Sequence, residues 1–226
     1  DLMDFFAEHY SADQMGLVVL ANQSLDELEA LVTPLFNQIP NNNIGPNYPT
    51  TQAFTDLQLP AVLTSRSLKD TYQLAFNFPI PSTLDVYRNK PESYLSNLIG
   101  HEGEGSLHHF LNEKGWIESL GSGSQDFDRN TSLMIVNIEL TEAGRAHVAE
   151  ITDLLFQYIE MLRDQPPQDW LYQEQAKVAE LGFRFQEQGS TVGFVYQMAP
   201  RLDQFPAEDL LVAPYLMEVF DPALIE

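Results

Sequence analysis

The sequence predicts an α+β fold, an antiparallel-rich β-sheet packed against several α-helices, and three observations carry it. Tyr72, Leu74, Phe76 and Phe78 alternate with smaller or polar neighbours, the period-2 pattern of a strand with one buried face. Met134, Val136, Ile138 and Leu140 repeat that pattern as one fully apolar face. Ile151, Leu154, Leu155, Tyr158, Ile159 and Leu162 instead follow i, i+3, i+4 spacing, the stripe of an amphipathic helix. Strands and helices are grouped rather than regularly alternating, which separates this chain from a parallel α/β design.

Taken in order, Leu2, Phe5, Phe6 and His9 share one helical face, so the sequence opens inside a helix, as a piece cut from a longer polypeptide would. Residues 15–21 are an apolar run of strand length. Ser24 and Glu27 have capping-box spacing, in which each side chain satisfies an orphan amide at a helix start. Leu28, Leu31, Val32 and Leu35 follow at helical spacing, with Pro34 placed to kink the helix or shift its end. Residues 61–67 and 71–78 are expected strands, the second closed by Phe78-Pro79-Ile80-Pro81. Residues 92–99 and 106–114 read as helices around a glycine-rich turn, and residues 116–125 and 133–140 as strands joined by a polar stretch. Pro166-Pro167 breaks the Ile151 helix, Asp169 caps another running to about Gln188, and Gly189 ends it. Helices from about Ser190 and Pro206 finish the chain, with a final turn at Asp221-Pro222. With no repeat, low-complexity tract or linker-length loop, residues 1–226 read as one domain.

The charge balance narrows the partners. Thirty-three acidic residues against 11 basic ones give a formal net charge of −22, which repels phosphate backbones and argues against nucleic acid. It favours cationic ligands, including a peptide's ammonium group, or serves only to keep the chain dissolved. There is no cysteine, so disulfides and thiolate metal sites are excluded and redox chemistry does not fix the compartment. No run approaches the ~20 apolar residues of a membrane helix, and no membrane partner is expected.

Two glycine-bearing stretches are the candidate site. Asn97 to Leu107 reads NLIGHEGEGSL, placing Gly100, Gly103 and Gly105 in one turn with His101, Glu102 and Glu104. Leu120-Gly121-Ser122-Gly123-Ser124 follows inside a strand pattern, where glycine marks a bulge or a close backbone approach. A sheet edge there can accept an extended peptide as an added strand, with Glu102 facing the ligand's amino terminus. The plainer alternative is that the glycines only shape a turn and a bulge. Zinc is the other candidate, since His101, Glu102, Glu104, His108 and His109 crowd together. Neither H-E-x-x-H nor H-x-x-E-H occurs, however, and adjacent histidines on a helix point about 100° apart. No metal is expected on this chain. There is no G-x-S-x-G elbow for a nucleophile, and the acidic turn does not suit a pyrophosphate.

NLIGHEGEGSL, the later EKGWIESL and the FQYIEMLR helix resemble the pitrilysin/insulinase family of zinc metallopeptidases, and HYSADQMGLVVLANQSLDELEALV and FDPALIE fit the same alignment. The resemblance implies one of four homologous α+β domains that form two bowl-shaped halves around a chamber. It places this chain second, after the domain that carries H-x-x-E-H and its distal glutamate. Zinc then belongs to the parent enzyme and not to these residues, which alone are expected to be catalytically silent. The assisting arginine and tyrosine belong to the fourth domain, so Arg201 and Tyr215 are not given that role. What the resemblance assigns to the second domain is an exosite for the substrate's amino terminus: Asn97, Gly100 and Glu102 from the turn, and Leu120, Ser122 and Ser124, with Gly121 and Gly123 between them, from the strand. Glu104 stands where relatives commonly have proline, and Asn97 and Ser122 also depart from the pattern. Expected partners are peptide substrates and neighbouring domains of the same polypeptide, in the periplasm by analogy with bacterial relatives. A non-catalytic scaffold or interaction subunit of the same fold is the alternative.

Overall fold

The computed structural model describes residues 1–46, 48, 51, 53–55, 59–68, 71–187 and 189–225. They divide into two compact units, Asp1–Pro49 with Phe183–Pro214, and Thr50–Gly182 with Tyr215–Glu226. The second unit holds the sheet: β1 (Tyr72–Pro81), β2 (Ile117–Asp126) and β3 (Thr131–Leu140), in the order β1-β3-β2 and antiparallel throughout. Together with seven α-helices among the described residues this is the α+β architecture the periodicities predict.

Register explains which face is buried. Phe76 and Ser122 both stand opposite Val136, and Leu74 and Leu120 both opposite Ile138, so the alternating apolar sets of all three strands fall on one side. Onto that side pack α3 (Pro91–Ile99), α4 (Leu107–Glu113) and α5 (Val148–Arg163), giving a core of Ile99, Leu107, Leu111, Leu120, Val136, Ile138, Ile151 and Leu155 among others. Each such Leu or Ile contributes about 1.5–3 kcal/mol by leaving water. The opposite face carries Gln73, Asn77, Gly121 and Asn137, of which Gln73, Asn77, Gly121 and Asn137 are all exposed.

Several expectations are corrected. Residues 15–21 and 61–67 form no strand; apolar composition does not suffice where no neighbouring ladder satisfies the backbone groups, and Val62 and Leu63 remain 95% and 94% exposed. The Phe78-Pro79-Ile80-Pro81 segment does not close β1 but lies within it. Both prolines are tolerated because β1 is an edge strand, where a missing N–H need not break a ladder. The segment after Pro206 forms only short 3-10 turns, Ala207–Asp209 and Ala213–Tyr215, and Pro214 disfavours α-helix at the residue before it. Helix α6 (Asp169–Arg184) ends short of the expected boundary, and Gln188 itself lies outside the described residues.

The first unit contains α1 (Leu2–His9), α2 (Leu25–Phe36) and α7 (Thr191–Gln204). The Ser24–Glu27 capping box forms as expected: the Glu27 amide donates to Ser24 Oγ at 3.3 Å, and the Ser24 amide to Glu27 Oε2 at 2.9 Å. These bonds hold the Glu27 carboxyl below its ordinary pKa. Pro34 lies within α2, whose helix continues to Phe36. Buried Ser11 accepts from the Asn42 amide at 2.8 Å and donates to Asp13, whose other oxygen accepts from the Gly45 amide at 2.9 Å. No helix among the described residues is long and apolar enough to cross a membrane.

One buried charge cluster has a measurable signature. Glu92, in the first turn of α3, is 6% exposed; Ser93 Oγ donates to one of its oxygens at 3.2 Å, and Oε2 is buried with no partner among the described residues. Burial pushes its pKa up, Lys90 works against that, and Asp126 adds to it. Burial likewise pulls Lys90 down, with Glu92 and then Asp126 opposing. A carboxyl whose folded pKa is raised stabilises the fold below its unfolded value, and that contribution is lost as pH rises through the folded value. Glu92→Gln is therefore expected to be more stable than the parent at neutral pH, with the advantage vanishing on acidification below the ordinary glutamate range. Thermal unfolding across that pH span checks it; an advantage independent of pH would contradict the assignment.

Candidate functional site

The site lies where the C-terminal end of α3 meets β2. Among the described residues β3 is the central strand and β2 has a strand neighbour on one side only, so alternate main-chain N–H and C=O groups point to its other side. A bulge between Ile117 and Ser119 increases the twist at its start. A methyl group built on Gly121 or Gly123 would meet nothing within 4 Å among the described residues, so there is open space on the side to which each would project.

Gly100 caps α3 and presses directly on the strand. A methyl group there would sit 3.1 Å from the Ser96 carbonyl oxygen and 3.3 Å from the Ser122 nitrogen, so any larger residue would push α3 away from β2. The turn beyond it is closed by a bond from the Ser106 amide to the Gly103 carbonyl at 3.1 Å. Gly105 has φ +84°, a conformation other residues adopt at a cost. Ser106 Oγ then accepts from the His109 amide at 3.0 Å and starts α4. Two further contacts pin the end of α3 from outside: Tyr158 Oη of α5 donates to the Leu98 carbonyl at 3.2 Å, and Gln175 Nε2 of α6 donates to Asn97 Oδ1 at 3.2 Å.

Between turn and strand is an open cavity of about 530 Å³, lined by residues of α3, the glycine turn and β2. It brings together Asn97, Gly100, Glu102, Leu120, Gly121 and Ser122. Gly123 and Ser124 lie further along β2, outside its lining. Leu120 sends its side chain into the core, being 4% exposed, so what it offers the site is backbone. Glu102 is exposed at the rim and is the carboxylate among the lining residues. Sequence reasoning did not select Ser96, His101 and Gly103 for this lining. The signal was present for His101 and Gly103, which stand in the same glycine-rich stretch as Gly100 and Glu102; in the fold the ring lies across the glycine, where a methyl group would come within 2.6 Å of His101 Nε2. The hydroxyls of Ser96 and Ser122 are buried without a partner among the described residues.

The residues do not suit a metal. Among the described residues no three His, Asp or Glu side chains converge as ligands. His109 instead faces Glu113 at 3.6 Å, and His108 Nδ1 is buried without a partner among the described residues. The arrangement offers main-chain donors and acceptors, a carboxylate and a carboxamide.

The backbone is similar to the crystal structure of pitrilysin with a TM-score of 0.89, covering 99% of this chain and 24% of that one, at 24% identity. Residues 1–178 match the peptidase M16 inactive domain, and the chain belongs to that family. It is 38% identical over 227 aligned residues to insulin-degrading enzyme of Homo sapiens and 34% identical to "Insulin-degrading enzyme-like 1, peroxisomal" of Arabidopsis thaliana. In both cases all of this chain is matched, while it spans only 22% and 23% of the relative's length.

Proposed function

We propose that this chain is a substrate-anchoring, chamber-forming domain of a zinc metalloendopeptidase that degrades peptides, with the zinc and the cleavage chemistry carried by other parts of the polypeptide. The observation that supports it is that β2, among the described residues, pairs on one side only, beside the cavity whose rim carries Glu102. An extended peptide pairs with the outward-facing alternate N–H and C=O groups along the segment Leu120, Gly121, Ser122, Gly123 and Ser124, while Asn97, Gly100 and Glu102 surround its amino-terminal end. Main-chain pairing is indifferent to side chains, so one edge serves many sequences. Holding one end of a peptide raises the local concentration of its downstream bonds at a neighbouring catalytic centre, which is the gain such a handle provides. A periplasmic location is a further proposal, resting on the resemblance to bacterial members.

Glu102 gives the test. In the full-length polypeptide, Glu102→Gln is expected to weaken a substrate with a free amino terminus by about tenfold, the scale of one lost charge-assisted bond. The acetylated form of the same peptide, which has no ammonium to pair, should change little. Competition binding and KM for the two peptides measure this; equal losses for both would remove the ammonium pairing.

A further inference from the structure

We infer that Tyr158 is a positioning residue which stops α3 short: by occupying the Leu98 carbonyl it keeps the Glu102 amide out of the helix and free for a main-chain carbonyl of the bound peptide. The inference rests on the peptide-holding reading above and names the group on which one of its donors depends. Tyr158 stands on α5 with its ring packed against the core. Its hydroxyl donates to the Leu98 carbonyl at 3.2 Å in a partly buried bond. A carbonyl oxygen only accepts, so the direction of this bond is fixed. Burial pushes the Tyr158 phenol up, and the hydroxyl keeps its proton throughout the neutral range.

The last carbonyls of an α-helix lack an amide from their own helix and must find another donor. In α3 the final helical bond runs from the Gly100 amide to the Ser96 carbonyl at 2.9 Å. Were the helix to run on, the Leu98 carbonyl would take the amide four residues later, that of Glu102. Tyr158 stands in for that amide. The amides of His101, Glu102 and Gly103 make no hydrogen bond among the described residues, and all three residues line the cavity. A partly buried carbonyl stripped of its donor takes the nearest replacement, and helix geometry makes that the Glu102 amide. Rewinding by this half turn uses up the donor and carries the Glu102 carboxylate off the cavity rim. The amino-terminal end of a peptide would lose both partners together.

Hydrogen exchange on the full-length polypeptide separates this role from simple bracing, because the two act in opposite directions. Without peptide, the Glu102 amide should exchange about tenfold more slowly in Tyr158→Phe than in the parent, since it has entered the helix. Removing a tyrosine that merely braced the fold would leave exchange there unchanged or faster. Affinity for a peptide with a free amino terminus, measured by fluorescence anisotropy with the label at its carboxyl end, should fall about tenfold. Placing 4-aminophenylalanine at position 158 restores a donor on the same ring and should return both values to those of the parent. Tyr158→Leu also lacks the donor and takes over the test if melting temperatures show Tyr158→Phe to be unfolded. Glu102 exchange that is unchanged or faster in the donorless variant overturns the inference. So does slower exchange with undiminished affinity, or no recovery with 4-aminophenylalanine. The peptide-holding reading fails separately, if peptide leaves exchange at residues 120–124 of the parent unaltered, whatever Tyr158→Phe does.

Discussion

Gly144→Ala is expected to destabilise the fold by roughly 3 kcal/mol or more, at the upper end of overpacking penalties. A methyl group at position 144 would lie 1.9 Å from the Trp116 carbonyl oxygen and 2.8 Å from its carbon. Both are backbone atoms, so no side-chain rotation relieves the clash. The same carbonyl accepts from the Thr141 amide at 3.0 Å, while Thr141 Oγ1 donates to the Gly115 carbonyl at 2.7 Å and accepts from the Gly144 amide at 3.0 Å. This staple joins the end of β3 to the residues that lead into β2. The Trp116 ring stacks on His147, centroids 4.2 Å apart, and fixes the other side of Gly144. Relief must come from moving the start of β2, so peptide affinity should fall along with stability. Gly121→Ala is the control: its methyl group points into open space, and the change should be neutral or stabilise by up to about 1 kcal/mol. Denaturant unfolding of the two variants measures both; similar stabilities would show that the Gly144–Trp116 contact is not a constraint.

The second large effect concerns the ligand. A peptide N-methylated at the alternate residues that face β2 is expected to bind about 100-fold more weakly than its parent. Each methyl removes one donor and leaves a strand carbonyl unpaired, a cost of about 1–3 kcal/mol per group, and two such losses reach that factor. Methylation of the residues in between, whose N–H groups point away from the strand, should change affinity only a few-fold. The contrast between the two phases is what identifies main-chain pairing. If both phases weaken binding alike, side chains or shape hold the peptide instead.

The sheet and its helices were legible because burial and periodicity coincide there. Tyr72, Leu74, Phe76 and Phe78 alternate in sequence and alternate in exposure, and Ile151 and Leu155 are the fully buried positions of α5. Residues 15–21 and 61–67 misled for the converse reason: composition reports that a segment suits a strand, while only a neighbouring ladder makes it one. The prolines of β1 misled because edge position, which excuses them, is a property of strand order and not of local sequence. At the site, glycine spacing and the acidic turn pointed to Gly100, Glu102 and Gly121, and the fold brings these together. It does not bring Gly123 or Ser124 into the cavity, because the strand runs past it. Gln175 was illegible, lying on a different helix from Asn97 and joined to it only through tertiary packing.

The central claim is that the free edge of β2 receives an extended peptide. Amide hydrogen exchange at residues 120–124, with and without a saturating peptide that has a free amino terminus, tests it most directly. The outward-facing amides of this segment and those of residues 101–103 should exchange markedly more slowly with peptide present, while amides already bonded to β3, and the Gly100 amide bonded to the Ser96 carbonyl, stay unchanged. Peptide binding that leaves the exchange of residues 120–124 unaltered would contradict the account.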